Sequence, residues 1–155
     1  FTRQRVEGNE IVHSTTNGTV AIALAKESNP SKIVIGAFSN LSALSNYLSE
    51  QGKDVQLFCS GWNNTVSLED MTFAGALAER LLQSGKFENK NDSTHSAIAV
   101  WNSAKDDLQG YMENASHIHR LRKHGMDDVF DYTFQLDTCN VVPGLEQKKI
   151  INVMQ

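Results

Sequence analysis

The chain has 155 residues, 40% hydrophobic and 21% charged, which is enough to bury one core without metals or disulfides, and a single domain spanning 1–155 is expected. A formal net charge of −4 and a pI near 5.7 exclude a sequence-independent grip on nucleic acid, which needs clustered Lys and Arg to displace counterions. No stretch approaches the roughly 20 apolar residues of a spanning helix, and no charged-then-apolar leader opens the chain, so a soluble, cytoplasmic protein with no membrane partner is expected.

Residues 1–10 (FTRQRVEGNE) read as a hairpin or linker leading into a strand over Glu10–Thr15. Asn17-Gly18 is a strong turn signal, and Thr19–Glu27 carries the small and apolar residues of a short helix. Lys32–Phe38 is a β-branched run of the kind buried in a parallel sheet, and Leu41, Leu44 and Leu48 follow at helical spacing up to Gly52. Val55–Cys59 repeats the strand pattern, and a polar loop SGWNNTVS then leads into a helix from about Leu68 to Gln83, ended by Gly85. Ser67 with Asp70 three residues later resembles a capping box in which Asp replaces Glu. Three strand-to-helix units at short spacing predict a three-layer α/β/α arrangement with a mainly parallel sheet.

Beyond the hydrophilic stretch GKFENKNDS, Thr94 to about Lys123 reads as two or three helices with Ala97, Ile98, Val100, Trp101 and Leu121 as apolar positions. DDVFDYTFQL fits either a last strand or a turn of helix, and KKIINV follows. Cys59 and Cys139 are expected to be free thiols of a reducing compartment, and the five Asn-x-Ser/Thr triplets carry no meaning outside the secretory route.

In parallel α/β sheets, ligands settle beyond the carboxyl ends of the strands, against helix N-termini that favour anions. The loop Ser14–Thr19 supplies hydroxyls, an amide and a glycine, and reads either as a phosphate or sulfonate cradle or as a turn with Thr19 as helix N-cap. Glu69 and Asp70 open the third helix, where they either serve Mg²⁺, which takes one or two carboxylates plus waters and phosphate oxygens, or simply complement the helix dipole. Cys59 lacks the Arg six residues on that cysteine-dependent phosphatases place there, because Thr65 occupies the position. The Walker A and Gly-x-Gly-x-x-Gly patterns are absent, and no Asp-x-Asp pair marks aspartyl-phosphate chemistry. His117 and His119, two residues apart, would point to different faces of a helix and lack the i, i+4 partner of a helical metal site.

Taken together, STTNGT, GAFSNLSAL, CSGWNNTVSLEDMTFAGAL and ASHIHRLRKHGMDDV with its distal Val-Val-Pro resemble the 2-phosphosulfolactate phosphatase (ComB) family over essentially the whole chain. The family pattern stands here as Thr15–Thr19, Gly36 with Asn40, Cys59 with Gly61, Leu68–Asp70, and Ala74 with Gly75. The resemblance implies Mg²⁺-dependent hydrolysis of 2-phospho-3-sulfolactate to sulfolactate and phosphate, a step associated with coenzyme M synthesis. Glu69 and Asp70 would hold or hydrate Mg²⁺, Thr15, Thr16, Asn17, Gly18 and Thr19 would bind phosphate oxygens, and Asn40 with Cys59, Ser60, Gly61 and on to Asn63 would meet the sulfonate or carboxylate end. Val20 departs from the basic residue often found there in the family. The family also carries an N-terminal portion with an Asp- and Arg-containing segment and a Gly-Asn-Ser-Pro segment, so part of the site is expected to lie before Phe1, in a longer phosphatase of which this chain is the C-terminal part. The partner expected is a small phosphorylated sulfonate, with a homo-oligomer also considered. Two other classes remain open at this point: a non-catalytic anion- or metal-binding α/β module, and a structural interaction domain whose loops are turns and caps.

Overall fold

The computed structural model of the chain describes residues 3–154, apart from the side chains of Arg3 and Asp128. Phe1 and Thr2, part of the expected hairpin or linker, lie outside the described residues; Arg3–Val6 forms a short helix, α1. Seven further helices follow: α2 (Gly18–Glu27), α3 (Leu41–Gln51), α4 (Leu68–Gln83), α5 (Asp92–Ala104), α6 (Leu108–Met112), α7 (Ser116–Lys123) and α8 (Phe130–Thr133). Two strands, β1 (Pro143–Glu146) and β2 (Lys149–Asn152), close the chain.

The mixed α/β character holds, but the sheet differs from the expected parallel one. β1 and β2 pair antiparallel with Gly144 opposite Ile151. On its other edge β1 takes the segment around Val34, with Ile35 N–H donating to Pro143 O at 2.8 Å and Leu145 N–H to Ile33 O at 2.9 Å. Residues 32–37 of the apolar run are therefore extended, as its β-branched residues favour, while Phe38 already opens a 3-10 turn over Phe38–Asn40, and the neighbour of the run is the distal hairpin. The segments 10–15 and 55–59 form no ladder among the described residues, and Ile11, Val12 and Phe58 stand exposed on them. DDVFDYTFQL resolves as a 3-10 turn over Asp127–Val129 followed by α8, and Lys149–Asn152 of KKIINV is strand.

The helical expectations hold more closely. α3 ends at Gly52, whose φ of 58° is the left-handed cap conformation that glycine adopts without strain. α4 starts on Ser67, whose hydroxyl accepts from Asp70 N–H at 3.4 Å, and the region from residue 94 to 123 divides into α5, α6 and α7. Leu41, Leu44 and Tyr47 of α3 bury with Leu77 and Leu81 of α4, Trp101, Met112, Ile118, Phe130, Phe134 and Val142 in one core. Phe38 sits inside it, edge-on to Phe73 at 5.5 Å and to Phe134 at 6.2 Å, and stacked near Trp101 at 6.5 Å. α4 and α5 approach closely because Gly75 has no side chain: a Cβ there would lie 2.0 Å from the Ala97 carbonyl oxygen.

No helix among the described residues is long and apolar enough to cross a membrane. Both cysteines are free thiols, as expected.

Candidate active-site cleft

One cleft of about 610 Å³ gathers the loop before α2, the loop before α4, and one face of α7. Its walls include Thr15, Thr16, Asn17 and Gly18 from the first, Ser60, Gly61, Glu69 and Asp70 from the second, and Ser116, His117 and Arg120 from the third.

The α2 loop is stapled by Thr15 and Thr19: the Thr19 hydroxyl donates to Thr15 O at 2.6 Å, and Thr19 N–H donates to Thr15 Oγ1 at 3.2 Å. The helix begins at Gly18, so Asn17 rather than Thr19 is the cap residue, and its side chain makes no capping bond. Among the described residues the Gly18 and Val20 N–H groups have no protein acceptor, which leaves the first turn of α2 with donors for an anion.

Before α4 the chain turns tightly through Trp62–Thr65, with reciprocal backbone bonds of 3.0 and 2.8 Å between the two end residues and positive φ at Asn63 and Asn64. Two successive left-handed residues are what a type I′ turn demands, and Asn tolerates them. Gly61, at φ 65°, could carry a Cβ only 2.6 Å from the Thr65 carbonyl oxygen, so the loop requires glycine there. Asp70 reaches back to this loop: its Oδ2 accepts from Gly61 N–H at 2.8 Å and from the Ser60 hydroxyl at 2.9 Å. The capping box is therefore one-sided, since the Asp70 carboxylate serves residues 60 and 61 instead of the Ser67 backbone.

Glu69 takes the Ser67 hydroxyl on Oε2 at 2.8 Å, while its Oε1 is buried with no hydrogen-bond partner. A buried, unpartnered carboxylate oxygen beside a second carboxylate fits a hard divalent cation, which needs one or two such ligands and fills the rest with water and substrate oxygens. Among the described residues no cluster of three or more His, Cys, Asp or Glu is present, which argues against the softer, all-protein sites and not against this one.

Four expected site residues stand apart from the cleft walls, the first being Asn63, which occupies the tight turn at positive φ. Asn40 is buried with its amide committed to the backbone: Oδ1 accepts from Ala37 N–H at 2.8 Å, and Nδ2 donates to Val141 O at 2.9 Å and Ile35 O at 3.3 Å. It joins the 35–37 segment to the approach to β1. Thr19 is exposed, and its hydroxyl is spent on Thr15 O. Cys59 lines a separate hollow of about 250 Å³ with Val66 and Met71, where burial and then the Asp70 charge push its thiol up, away from a nucleophilic thiolate.

Trp62 belongs to the expected 60–63 loop and lines the cleft, whereas Ser116, His117 and Arg120 are cleft residues that the sequence alone does not single out. Their signal lies on α7, where Ser116 and Arg120 are four apart and share a face with His117, a spacing that carries no metal pair. His117 lines the cleft and His119 does not, as two residues on opposite faces of a helix must.

A sequence model of the 2-phosphosulpholactate phosphatase family matches residues 1–148. The chain belongs to this family. The probable 2-phosphosulfolactate phosphatase of Prochlorococcus marinus is 36% identical over 150 residues, covering 94% of this chain and 61% of the relative. That of Trichormus variabilis is 35% identical over 147 residues (92% and 59%), and that of Thermotoga maritima 31% over 145 (94% and 60%). The chain thus spans about 60% of the length of these curated 2-phosphosulfolactate phosphatase relatives.

Proposed function

We propose that the chain carries a phosphoric monoester hydrolase site whose substrate is 2-phospho-3-sulfolactate and whose activity depends on Mg²⁺. The observation that carries this reading is the meeting of two opposite chemistries in one cleft: an N–H- and hydroxyl-rich loop at the start of α2, and the Glu69–Asp70 pair at the start of α4. A phosphate ester bound between them needs both, because its oxygens take donors on one side and a cation on the other. Family membership and the phosphatase names of the relatives support the same chemistry.

In this reading the Thr15 and Thr16 hydroxyls, the Asn17 amide and the Gly18 N–H bind phosphate oxygens. Glu69 Oε1 and the Asp70 carboxylate would hold the Mg²⁺, and Asp70 at the same time keeps Ser60 and Gly61 against the cleft. The cation, when bound, neutralises charge on the transferring phosphoryl group. Hydrolysis adds water across the P–O ester bond, releasing phosphate and leaving the hydroxyl on sulfolactate.

The test is phosphate release from 2-phosphosulfolactate with and without Mg²⁺, comparing the chain with Asp70→Asn. Release that needs Mg²⁺ and falls by about 100-fold or more in the variant is expected, the scale of several kcal/mol of lost transition-state stabilisation. Release indifferent to both would count against the reading, as would none in either this chain or one extended before Phe1, whereas release only from the extended chain would place part of the site before Phe1.

A further inference from the structure

Arg120 is a half-buried guanidinium on the wall of the cleft. Arg80 is bonded to Asp137, and Arg122 to Glu113 and Asp127, whereas Arg120 has no carboxylate partner among the described residues. Its guanidinium carbon stands 4.1 Å from the centroid of the Trp62 ring. One terminal nitrogen donates to the Ser116 hydroxyl at 3.1 Å, and the other lies 3.3 Å from His117 Nδ1. These contacts fix the plane of the fork while leaving the Nε–H and one hydrogen on each terminal nitrogen for a ligand. A half-buried guanidinium within cation–π range of an aromatic ring, with donors to spare and no carboxylate partner, is suited to receive an oxyanion.

In the phosphatase reading the α2 loop and the acidic pair, both on other elements, take the phosphate. Asn40, expected at the far end of the substrate, is committed to the backbone. We infer that Arg120, stacked on Trp62 and steadied by Ser116 and His117, binds the second anionic group of the substrate, the sulfonate or carboxylate remote from the phosphate ester. This rests on the phosphatase reading above and adds the residue that selects among phosphate esters. A lysine could supply the charge there but neither the planar stack nor the two-toothed contact.

The test separates the two claims by using sulfoacetate, which has a sulfonate and a carboxylate but no phosphate. Calorimetric titration into the intact chain, with and without saturating inorganic phosphate, should show saturable binding that phosphate does not displace. Arg120→Gln should weaken it at least tenfold, Arg120→Lys less, and Trp62→Leu by an intermediate factor. Unchanged affinity in Arg120→Gln, no binding to the parent chain, or full displacement by phosphate would each overturn the assignment. If sulfoacetate binding depends on Arg120 but no phosphate is released from 2-phosphosulfolactate by this chain or the extended one, the site stands and the phosphatase reading falls. With turnover, Arg120→Gln should raise KM for 2-phosphosulfolactate at least tenfold while leaving glycerol 2-phosphate unaffected, and equal losses on both esters would also overturn it.

Discussion

Asp70, in the first turn of α4, holds Gly61, nine residues earlier, by accepting its N–H at 2.8 Å, and the same oxygen takes the Ser60 hydroxyl at 2.9 Å. Its other oxygen has no hydrogen bond among the described residues, so one carboxylate both shapes the loop and offers a ligand atom. Asp70→Asn keeps an acceptor for Gly61 while removing the charge, and should fold with little loss of stability but lose cation-dependent activity. Asp70→Ala strands the Gly61 N–H and should cost about 1–3 kcal/mol in chemical denaturation, the penalty for an unmade hydrogen bond at a part-buried donor. Equal stability of the two variants would show that the loop does not depend on Asp70.

Gly75→Ala is the sharpest packing test. The added methyl would sit 2.0 Å from the Ala97 carbonyl oxygen and 2.8 Å from Trp101 Cβ, so α4 and α5 would have to separate. Overpacking of this kind typically costs about 1–3 kcal/mol, and contact with rigid backbone places this case at or above the top of that range. Circular dichroism and thermal unfolding should show a lower midpoint or no folded protein, whereas an unchanged midpoint would contradict the close helix crossing.

The helices were legible because their signals are local. Ser67, the acidic first turn and the leucine spacing of α4 all lie within one segment, as do the leucines of α3 and Gly52. Strand partners were not legible. The run 32–38 announces an extended, half-buried backbone, but nothing in it names the Pro143–Leu145 backbone, more than a hundred residues away, with which it exchanges hydrogen bonds. The cleft divides in the same way: Thr15–Gly18 and Glu69–Asp70 stand out as loop and helix-start chemistry, while Arg120 becomes a site residue only when tertiary packing lays α7 against Trp62. Asn40 shows the converse, since its residue type suits a ligand equally well and only the fold reveals that its amide is spent.

Asp137 gives a pH signature. Burial pushes its carboxyl up, but bonds from the Ser42 hydroxyl and N–H and the Arg80 charge outweigh this and hold it below the ordinary 3.8. Ser42 N–H lies 2.5 Å from Oδ1 and the hydroxyl 2.6 Å from Oδ2, so this distant carboxylate caps the first turn of α3. A carboxyl lowered in the folded state stabilises when ionised, so its contribution is complete above about pH 3.8 and is lost as pH falls through the lower native value. Asp137→Asn should therefore destabilise the chain at pH 7 by roughly 1 kcal/mol, the scale of a screened pair with a helix cap. The gap from the parent should close in urea titrations run below pH 3.8, and a gap independent of pH would refute the ionic origin.

Ser67 joins the fold to the site, because its hydroxyl accepts from Asp70 N–H and donates to Glu69 Oε2. Ser67→Ala should cost about 1 kcal/mol as a lost N-cap. It should also free the Glu69 carboxylate, weakening Mg²⁺ binding without abolishing it. Ser67→Thr should restore both, and failure of that rescue would mean the hydroxyl contributes neither.

Glu69 itself decides whether the cation belongs here. Its Oε1 is buried and unpartnered, an arrangement that costs free energy in the absence of a ligand and is relieved by one. A ligand bound only to the folded state stabilises by RT ln(1 + [L]/Kd), about 2.7 kcal/mol at a hundredfold excess over Kd. Mg²⁺ titrated into the parent chain should therefore raise the unfolding midpoint in a saturable way, and EDTA should reverse it. Glu69→Gln removes the charge but keeps the size, so it should abolish the Mg²⁺ shift while leaving the metal-free midpoint equal or higher, because no unpaired buried carboxylate remains. A Mg²⁺ shift that survives Glu69→Gln would place the cation elsewhere, and a variant less stable than the parent without metal would show that Oε1 gains a protein partner in solution beyond the Ser67 bond to Oε2.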